Sequence, residues 1–126
     1  MKSRDAALRL KRFEASEKAR KVADLEHMIR EFEQMAVDLD RQISAEEDRT
    51  GVKDASHFAY STFAKAAGQR RSNLKASIDG LVAKLDAAVR ERDAAQADLN
   101  AVSTADPREP ERGRRRTDRA SGLSMR

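Results

Sequence analysis

Three consecutive carboxylates are the residues of this sequence that most suggest a metal site. Glu46, Glu47 and Asp48 follow one another directly. They lack the alternating oxygen ligands and the mid-loop glycine that a calcium loop needs. On a helix their side chains would also point about 100° apart, so that they would not converge on one ion. We therefore expect a solvated helix end here, with no metal bound.

The remaining residues that could do chemistry are scattered. His27 and His57 are the only histidines, far apart in sequence, and both are expected to be solvated surface residues. Cysteine is absent, which excludes thiol catalysis, and no glycine-rich phosphate loop is present. The sequence predicts no catalytic residue, no cofactor and no small-molecule substrate, so we expect a protein that is not an enzyme.

Two basic segments could bind a polyanion. Arginines concentrate between Arg112 and Arg119, where phosphate neutralisation could support a coiled coil that binds nucleic acid. Aromatic residues that would stack bases are absent nearby, so nucleic acid is the less favoured partner and a solubilising tail the favoured reading. Residues 2–21 contain Leu8, Leu10 and Phe13 among basic side chains, a pattern that fits either an acidic membrane surface or, preferably, a helix with a partner-facing side.

An aromatic cluster stands out in a chain with only 4% aromatic residues. Phe58, Tyr60 and Phe63 fall within six residues, followed by the small residues of the segment 66–68. The aromatics could close the end of a helical core. Alternatively they form an exposed hot spot for a partner, because aromatic anchors supply much of the energy of protein interfaces.

Length and composition bound the fold. The chain has 126 residues, five glycines, two prolines and 38% charged residues, which is typical of one small domain built from long helices. The net charge of +4 hides a basic start over residues 1–21 and an acidic stretch over residues 22–49. We find no signal peptide and no 18-residue apolar run, and therefore expect a cytoplasmic protein.

Apolar residues recur at heptad spacing in two separate segments. The spacing predicts one helix over about residues 5–47 and a second over about residues 58–103. The first seam comprises Val22, Leu25, Ile29, Phe32, Ala36, Leu39 and Ile43. The second comprises Tyr60, Ala64, Ala67, Arg71, Leu74, Ile78, Leu81, Leu85, Ala88, Arg92, Ala95, Leu99 and Val102.

The periodicity stops around Gly51 and restarts beyond it, which favours a turn at about residues 48–57. The predicted fold is thus all-α: a long antiparallel two-helix coiled-coil hairpin over residues 1–103, with a disordered, basic, proline-containing tail over residues 104–126. One alternative is a single helix that continues through Gly51 and forms a generic homodimeric coiled coil. Asp54, Ser56 and Ser61 are candidate capping residues.

The sequence is compatible with two registers of the hairpin. One register sets Leu25 against Ile78, and a slip of one heptad sets Leu25 against Leu85. Both pair large residues with small ones along much of the seam. A two-helix hairpin with so many alanines in its core is marginally stable alone, which favours the existence of a partner.

A set of short sequence matches runs through the first two thirds of the chain. They comprise Met1-Lys2-Ser3-Arg4, Leu10-Lys11-Arg12-Phe13, Glu17-Lys18, Met35-Ala36, Asp38-Leu39-Asp40, Ile43, Glu46-Glu47, Arg49, His57-Phe58-Ala59-Tyr60, Ala64-Lys65-Ala66-Ala67, Arg70-Arg71 and Asn73-Leu74. Through these residues, the segment 1–85 resembles the FliJ family of flagellar export proteins, in its α-proteobacterial type. The part from His57 to Asn73 lies largely outside generic heptad patterning and is the most specific part of the likeness. Ser61 stands where the resemblance leads us to expect proline.

The resemblance implies a stalk-like hairpin in flagellar type III protein export, located in the cytoplasm and peripherally at the inner face of the cell membrane. Its implied partners are the export ATPase, the cytoplasmic domain of the membrane export gate protein, and export chaperones. By position, the ATPase would contact Leu8, Leu10 and Phe13. The gate would contact Phe58, Tyr60, Phe63, Arg70 and Arg71. The second predicted helix is shorter than the family pattern leads us to expect.

Overall fold

The chain folds into two helices that pack against each other as an antiparallel hairpin. A computed structural model describes residues 2–105. Helix α1 spans Lys2–Thr50 and helix α2 spans Thr62–Ala105, joined by residues 51–61. The part of the chain that is described contains no strand. The predicted all-α hairpin is therefore confirmed.

The helix boundaries differ from the sequence-based ones mainly at the connection. Helix α1 continues to Thr50, and α2 begins only at Thr62, so Phe58 and Tyr60 lie in the connection and not in a helix. Gly51 ends α1 with a φ of 75°, a left-handed conformation that glycine adopts without the steric cost met by other residues. The alternative of one helix continuing through Gly51 is wrong.

The two helices also extend beyond their predicted outer ends. Helix α1 begins at Lys2, and α2 includes Thr104 and Ala105, which the sequence had assigned to the tail. The remainder of the predicted tail, residues 106–126, lies outside the described residues. Within residues 2–105, neither helix contains a stretch long and apolar enough to cross a membrane.

Contacts divide the chain into two compact units, each formed by facing parts of both helices. Unit 2 is Lys21–Ala88. Its core follows the predicted seams, with large side chains of α1 packing near alanines of α2. The buried residues of this unit are Val22, Leu25, Ile29, Ala36, Leu39, Ala64, Ala67, Leu81 and Ala88, while Phe32, Ile43, Leu74, Ile78 and Leu85 are half-buried.

Unit 1 comprises Met1–Arg20 and Val89–Arg126, of which residues 2–20 and 89–105 are described. Its core is thinner, with Leu8 and Ala15 buried in α1. The heptad spacing continues through half-buried lysines, and Lys18 Nζ lies 3.3 Å from a carboxylate oxygen of Glu91 in α2. On the α1 side, aliphatic stems of Lys11 and Lys18 therefore cover part of this seam, while α2 contributes the half-buried residues Ala95, Leu99 and Val102.

The register within unit 2 is fixed by an ion pair between Arg71 of α2 and Asp40 of α1. The register that sets Leu25 against Leu85 places these two residues almost opposite each other. The other register would set Arg71 opposite Phe32, about 12 Å along α1 from Asp40 at a rise of 1.5 Å per residue. The structure therefore selects the register left open by the sequence.

Candidate functional site

The connection begins where the last turn of α1 is closed by local hydrogen bonds. The amide of Gly51 donates to the carbonyl of Glu47 at 2.8 Å, the last helical hydrogen bond of α1. Thr50 Oγ1 accepts from the amide of Val52 at 3.3 Å. These contacts satisfy backbone groups that a helix end otherwise leaves without partners, so the direction in which the chain leaves α1 is well defined.

The middle of the connection is built on Asp54. Its Oδ1 accepts hydrogen bonds from the amide of Ser56 at 2.9 Å and from Ser56 Oγ at 2.7 Å. Both bonds favour the charged carboxylate, the hydroxyl bond most strongly, and they lower the pKa of Asp54. Asp54 and Ser56 therefore stabilise the turn, and the expectation that they cap α2 is wrong.

Ser61 is the residue that caps α2. Its Oγ accepts a hydrogen bond from the amide of Ala64 at 3.2 Å, as expected of a serine directly before a helix. The same hydroxyl donates to Oε1 of Glu46 at 2.9 Å. One side chain thus starts α2 and also links that start to the end of α1.

Glu46 and Glu47 hold the connection onto α1. Glu47 Oε2 accepts a hydrogen bond from the Tyr60 hydroxyl at 2.7 Å, and both carboxylates are half-buried. Hydrogen bonding to Glu47 raises the pKa of Tyr60, because the protonated phenol is the donor. Hydrogen bonds from Arg49 and then Ser61 lower the pKa of Glu46. The expectation of a solvated helix end is wrong for these two glutamates.

The three aromatic residues of the cluster have different environments. Phe58 is 95% exposed and its ring stacks on His57, with the centroids 4.6 Å apart. Phe63, in the first turn of α2, is 52% exposed. Tyr60 is half-buried against α1. The cluster therefore splits into one structural residue and two aromatic side chains available to a partner.

His57 orients the exposed aromatic residue. Its Nδ1 accepts a hydrogen bond from the amide of Ala59 at 3.0 Å, and its amide donates to the carbonyl of Asp54 at 3.0 Å. The first bond fixes the ring that stacks on Phe58, and the second fixes the backbone that carries it. His57 was expected to be a generic surface residue, and only its position next to Phe58 could have indicated this role.

The two arginines predicted to contact a partner also separate. Arg71 is half-buried and forms the ion pair with Asp40 described above. Arg70 is exposed and lines an open groove that also contains Phe32 and Met35. Of the two, Arg70 is therefore the one accessible to another molecule.

The predicted contact residues of unit 1 lie on different sides of α1. Leu8 is a core residue, 8% exposed. Leu10 and Phe13 are 55% and 62% exposed and are three residues apart, which places them on the same side of the helix. They form an accessible apolar pair, whereas Leu8 stabilises the hairpin.

No cluster of three or more histidine, aspartate or glutamate side chains suited to a metal ion occurs in the described part of the chain. His27 is exposed and lies 3.0 Å from Glu31, one turn further along α1. The arginine run between Arg112 and Arg119 lies outside the described residues. The described residues do present a set of exposed apolar and basic side chains on a helical frame.

Sequence reasoning missed one feature of this surface. Met28 and Met35 are 40% and 49% exposed and lie seven residues apart, on the side of α1 next to the seam. Their spacing of seven residues is visible in the sequence. The neighbouring seam residues already explained the apolar pattern of α1, however, so the two methionines were not singled out.

No protein-family description, no curated protein and no solved structure matches this chain.

Proposed function

We propose that this protein is a soluble, non-enzymatic component of flagellar type III protein export. In this proposal the hairpin links the export ATPase ring to the cytoplasmic domain of the membrane export gate protein and assists export chaperones. It acts in the cytoplasm, peripherally at the inner face of the cell membrane. Its role is mechanical and interfacial, and involves no bond chemistry in this chain. The support comes from the resemblance of residues 1–85 to FliJ proteins, together with the exposed side chains.

The single observation that carries the proposal is the presentation of Phe58. Its ring is almost fully exposed at a connection whose backbone is tied to α1 through Tyr60 and Ser61. Leaving a phenylalanine in water gains nothing for folding, and a fixed frame lowers the entropy cost of binding it. It also belongs to the segment between His57 and Asn73, where the resemblance is most specific.

The surface exposures refine which residues are proposed to bind which partner. For the export gate we retain Phe58, Phe63 and Arg70, which are exposed. For the ATPase we retain the exposed pair Leu10 and Phe13. Tyr60, Arg71 and Leu8 are engaged within the hairpin, so their substitution would change folding together with binding.

The test compares two exposed phenylalanines, one in each unit. Purified full-length chain carrying Phe58→Ala is titrated calorimetrically with the cytoplasmic domain of the gate protein, and Phe13→Ala serves as the matched control. Loss of an aromatic hot spot costs about 2 kcal/mol or more, so we expect gate binding to weaken by roughly 30-fold for Phe58→Ala only. In the same titration with the export ATPase, we expect Phe13→Ala to weaken binding and Phe58→Ala to leave it unchanged.

Two results would argue against the proposal. One is the absence of heat on mixing the unaltered chain with both partner proteins at two well-separated temperatures, because the heat-capacity change of apolar burial prevents the binding enthalpy from being zero at both. The other is full motility in cells whose only copy carries Phe58→Ala and Phe13→Ala together, with helicity confirmed by circular dichroism. A pull-down that recovers nucleic acid, and neither partner, would favour the alternative of a nucleic-acid-binding coiled coil.

A further inference from the structure

An open groove runs along one side of unit 2, between the two helices. It is lined by Phe32, Met35, Asp38 and Leu39 of α1 and by Arg70 and Leu74 of α2. Its floor is apolar, since Leu39 is a core residue and Phe32 and Leu74 are half-buried. Its edges carry charges of opposite sign, with Asp38 on α1 and Arg70 on α2.

The apolar strip continues beyond this groove along α1. Met28 lies seven residues before Met35, on the same side of the helix, and is 40% exposed. From Met28 to Leu39 the strip is about 17 Å long at 1.5 Å per residue. In a two-helix hairpin the apolar side next to the seam stays exposed. In a four-helix bundle the same side is buried against a second pair of helices.

The charged residues along the two edges of the groove have the same spacing. On α1, Asp38 lines the groove, and the heptad spacing puts Asp24, fourteen residues earlier, on the same side of the helix. On α2, Arg70 lines the groove, and the same spacing puts Lys84, fourteen residues later, on its side; Arg70 and Lys84 are exposed. The α1 edge is therefore acidic and the α2 edge basic, and the charges on both edges have the same spacing along the helix.

We propose that this groove is a self-association surface, on which a second copy of the same hairpin docks in parallel orientation. A twofold axis along the helices would set α1 of each copy opposite α2 of the other. By the observed register, position 38 lies level with position 73, so Asp38 comes within about 5 Å, along the helix, of the level of Arg70 in the second copy. Asp24 and Lys84 have the same offset.

The opposite orientation is disfavoured by the same charges. In an antiparallel pair of hairpins, α1 would face α1, bringing the acidic edges together and the basic edges together. Like charges that face each other across an interface raise its free energy. Asp38 keeps about half of its side-chain surface exposed, 53%, although Arg41 lies 3.7 Å away, so its carboxylate remains accessible to a second copy. The parallel arrangement is the one that the charge pattern specifies.

The strip is about 17 Å long and at most two helix diameters, about 20 Å, wide. Its area is therefore well below the roughly 800 Å² per partner that stable dimers bury, so the dimer is a weak one. We expect a dissociation constant of roughly 10–100 µM, which corresponds to a free energy of association near −6 kcal/mol. This inference concerns the isolated chain and does not rest on the proposed export function.

Sedimentation equilibrium of the purified full-length chain tests the proposal. We expect the apparent mass to rise from 14.1 kDa towards twice that value as the concentration passes through the range given above. Arg70→Glu should weaken association at least 10-fold, and Asp38→Arg likewise. Combining the two exchanges the charges and should restore association to within about 3-fold of the original.

Lys75→Glu is the matched control, because it makes the same charge change on an exposed residue of α2 that does not line the groove. It should leave association unchanged, with helicity of all variants verified by circular dichroism. A chain that stays monomeric over this concentration range overturns the proposal and leaves the groove to another protein. A dimer that is insensitive to Arg70→Glu, or not restored by the charge exchange, overturns the parallel geometry.

Discussion

The hydroxyl of Tyr60 donates a 2.7 Å hydrogen bond to Oε2 of Glu47, across the connection between the two helices. Thirteen residues separate the pair in sequence, yet the bond brings the end of the connection onto the last turns of α1. Ser61 and Glu46, one residue along on each side, repeat the contact. The adjacent carboxylates of Glu46 and Glu47 thus bind the adjacent residues Ser61 and Tyr60. The exposed ring of Phe58 lies next to these two contacts in the connection.

The Tyr60–Glu47 bond should be visible in a pH titration, because Tyr60 is the only tyrosine of the chain. Hydrogen bonding raises its pKa above the ordinary value of 10.0. We expect the tyrosinate absorbance to appear at higher pH than in the urea-unfolded chain, and Glu47→Gln to move it back towards the ordinary value. The matched control is Asp48→Asn, which removes an exposed neighbouring carboxylate.

The sign of the linked stability follows from the same shift. A pKa that is raised in the folded state stabilises folding fully below pH 10.0, and this contribution is lost as the pH rises through the folded-state pKa. The urea midpoint of the unaltered chain should therefore fall more steeply above pH 10.0 than that of Tyr60→Phe. Equal slopes would show that the bond does not form in solution.

Two glycine substitutions should have opposite effects on stability. Gly51 has a φ of 75°, so Gly51→Ala forces a left-handed conformation and should destabilise the fold by about 1–2 kcal/mol. Gly80 lies inside α2 with open space around its Cα, so Gly80→Ala should stabilise the fold by about 1 kcal/mol. Urea unfolding monitored by circular dichroism measures both. Equal effects of the two substitutions would contradict the structure of the turn.

Heptad spacing was sufficient to predict the hairpin and most of its core, because the side chains buried between two paired helices recur along one narrow seam. The start of α2 was misplaced by four residues because Tyr60 matches the seam period, although its side chain reaches Glu47 from the connection. The role of Glu46 depended on Ser61, fifteen residues away, and no local pattern indicates such a contact. Some of the predicted contact residues are exposed and others are buried or half-buried within the hairpin, for the same reason. Spacing places a residue on one face of its helix, whereas the exposure of its side chain depends on the register of the two helices.

The alanines of α2 should be intolerant of enlargement where they face the large residues of α1. Ala64 is 1% exposed, so Ala64→Leu overfills the seam and should destabilise the fold by about 1–3 kcal/mol. Ala66 is exposed two residues along the same helix, and Ala66→Leu should change stability by less than about 0.5 kcal/mol. Thermal and urea unfolding of the two variants provide the comparison. If Ala64→Leu were tolerated as well as Ala66→Leu, the seam would not be packed as described.

Phe58 and Tyr60 should separate binding from folding, although they are only two residues apart. Phe58 is 95% exposed, so Phe58→Ala should change the free energy of unfolding by less than about 0.5 kcal/mol. Tyr60→Ala removes the bond to Glu47 and should lower the thermal midpoint, because the connection loses a contact to α1. Differential scanning calorimetry of both variants measures the difference. A lower midpoint for Phe58→Ala would mean that this ring packs against the hairpin in solution, and the argument for its role as a partner-binding residue would then fail.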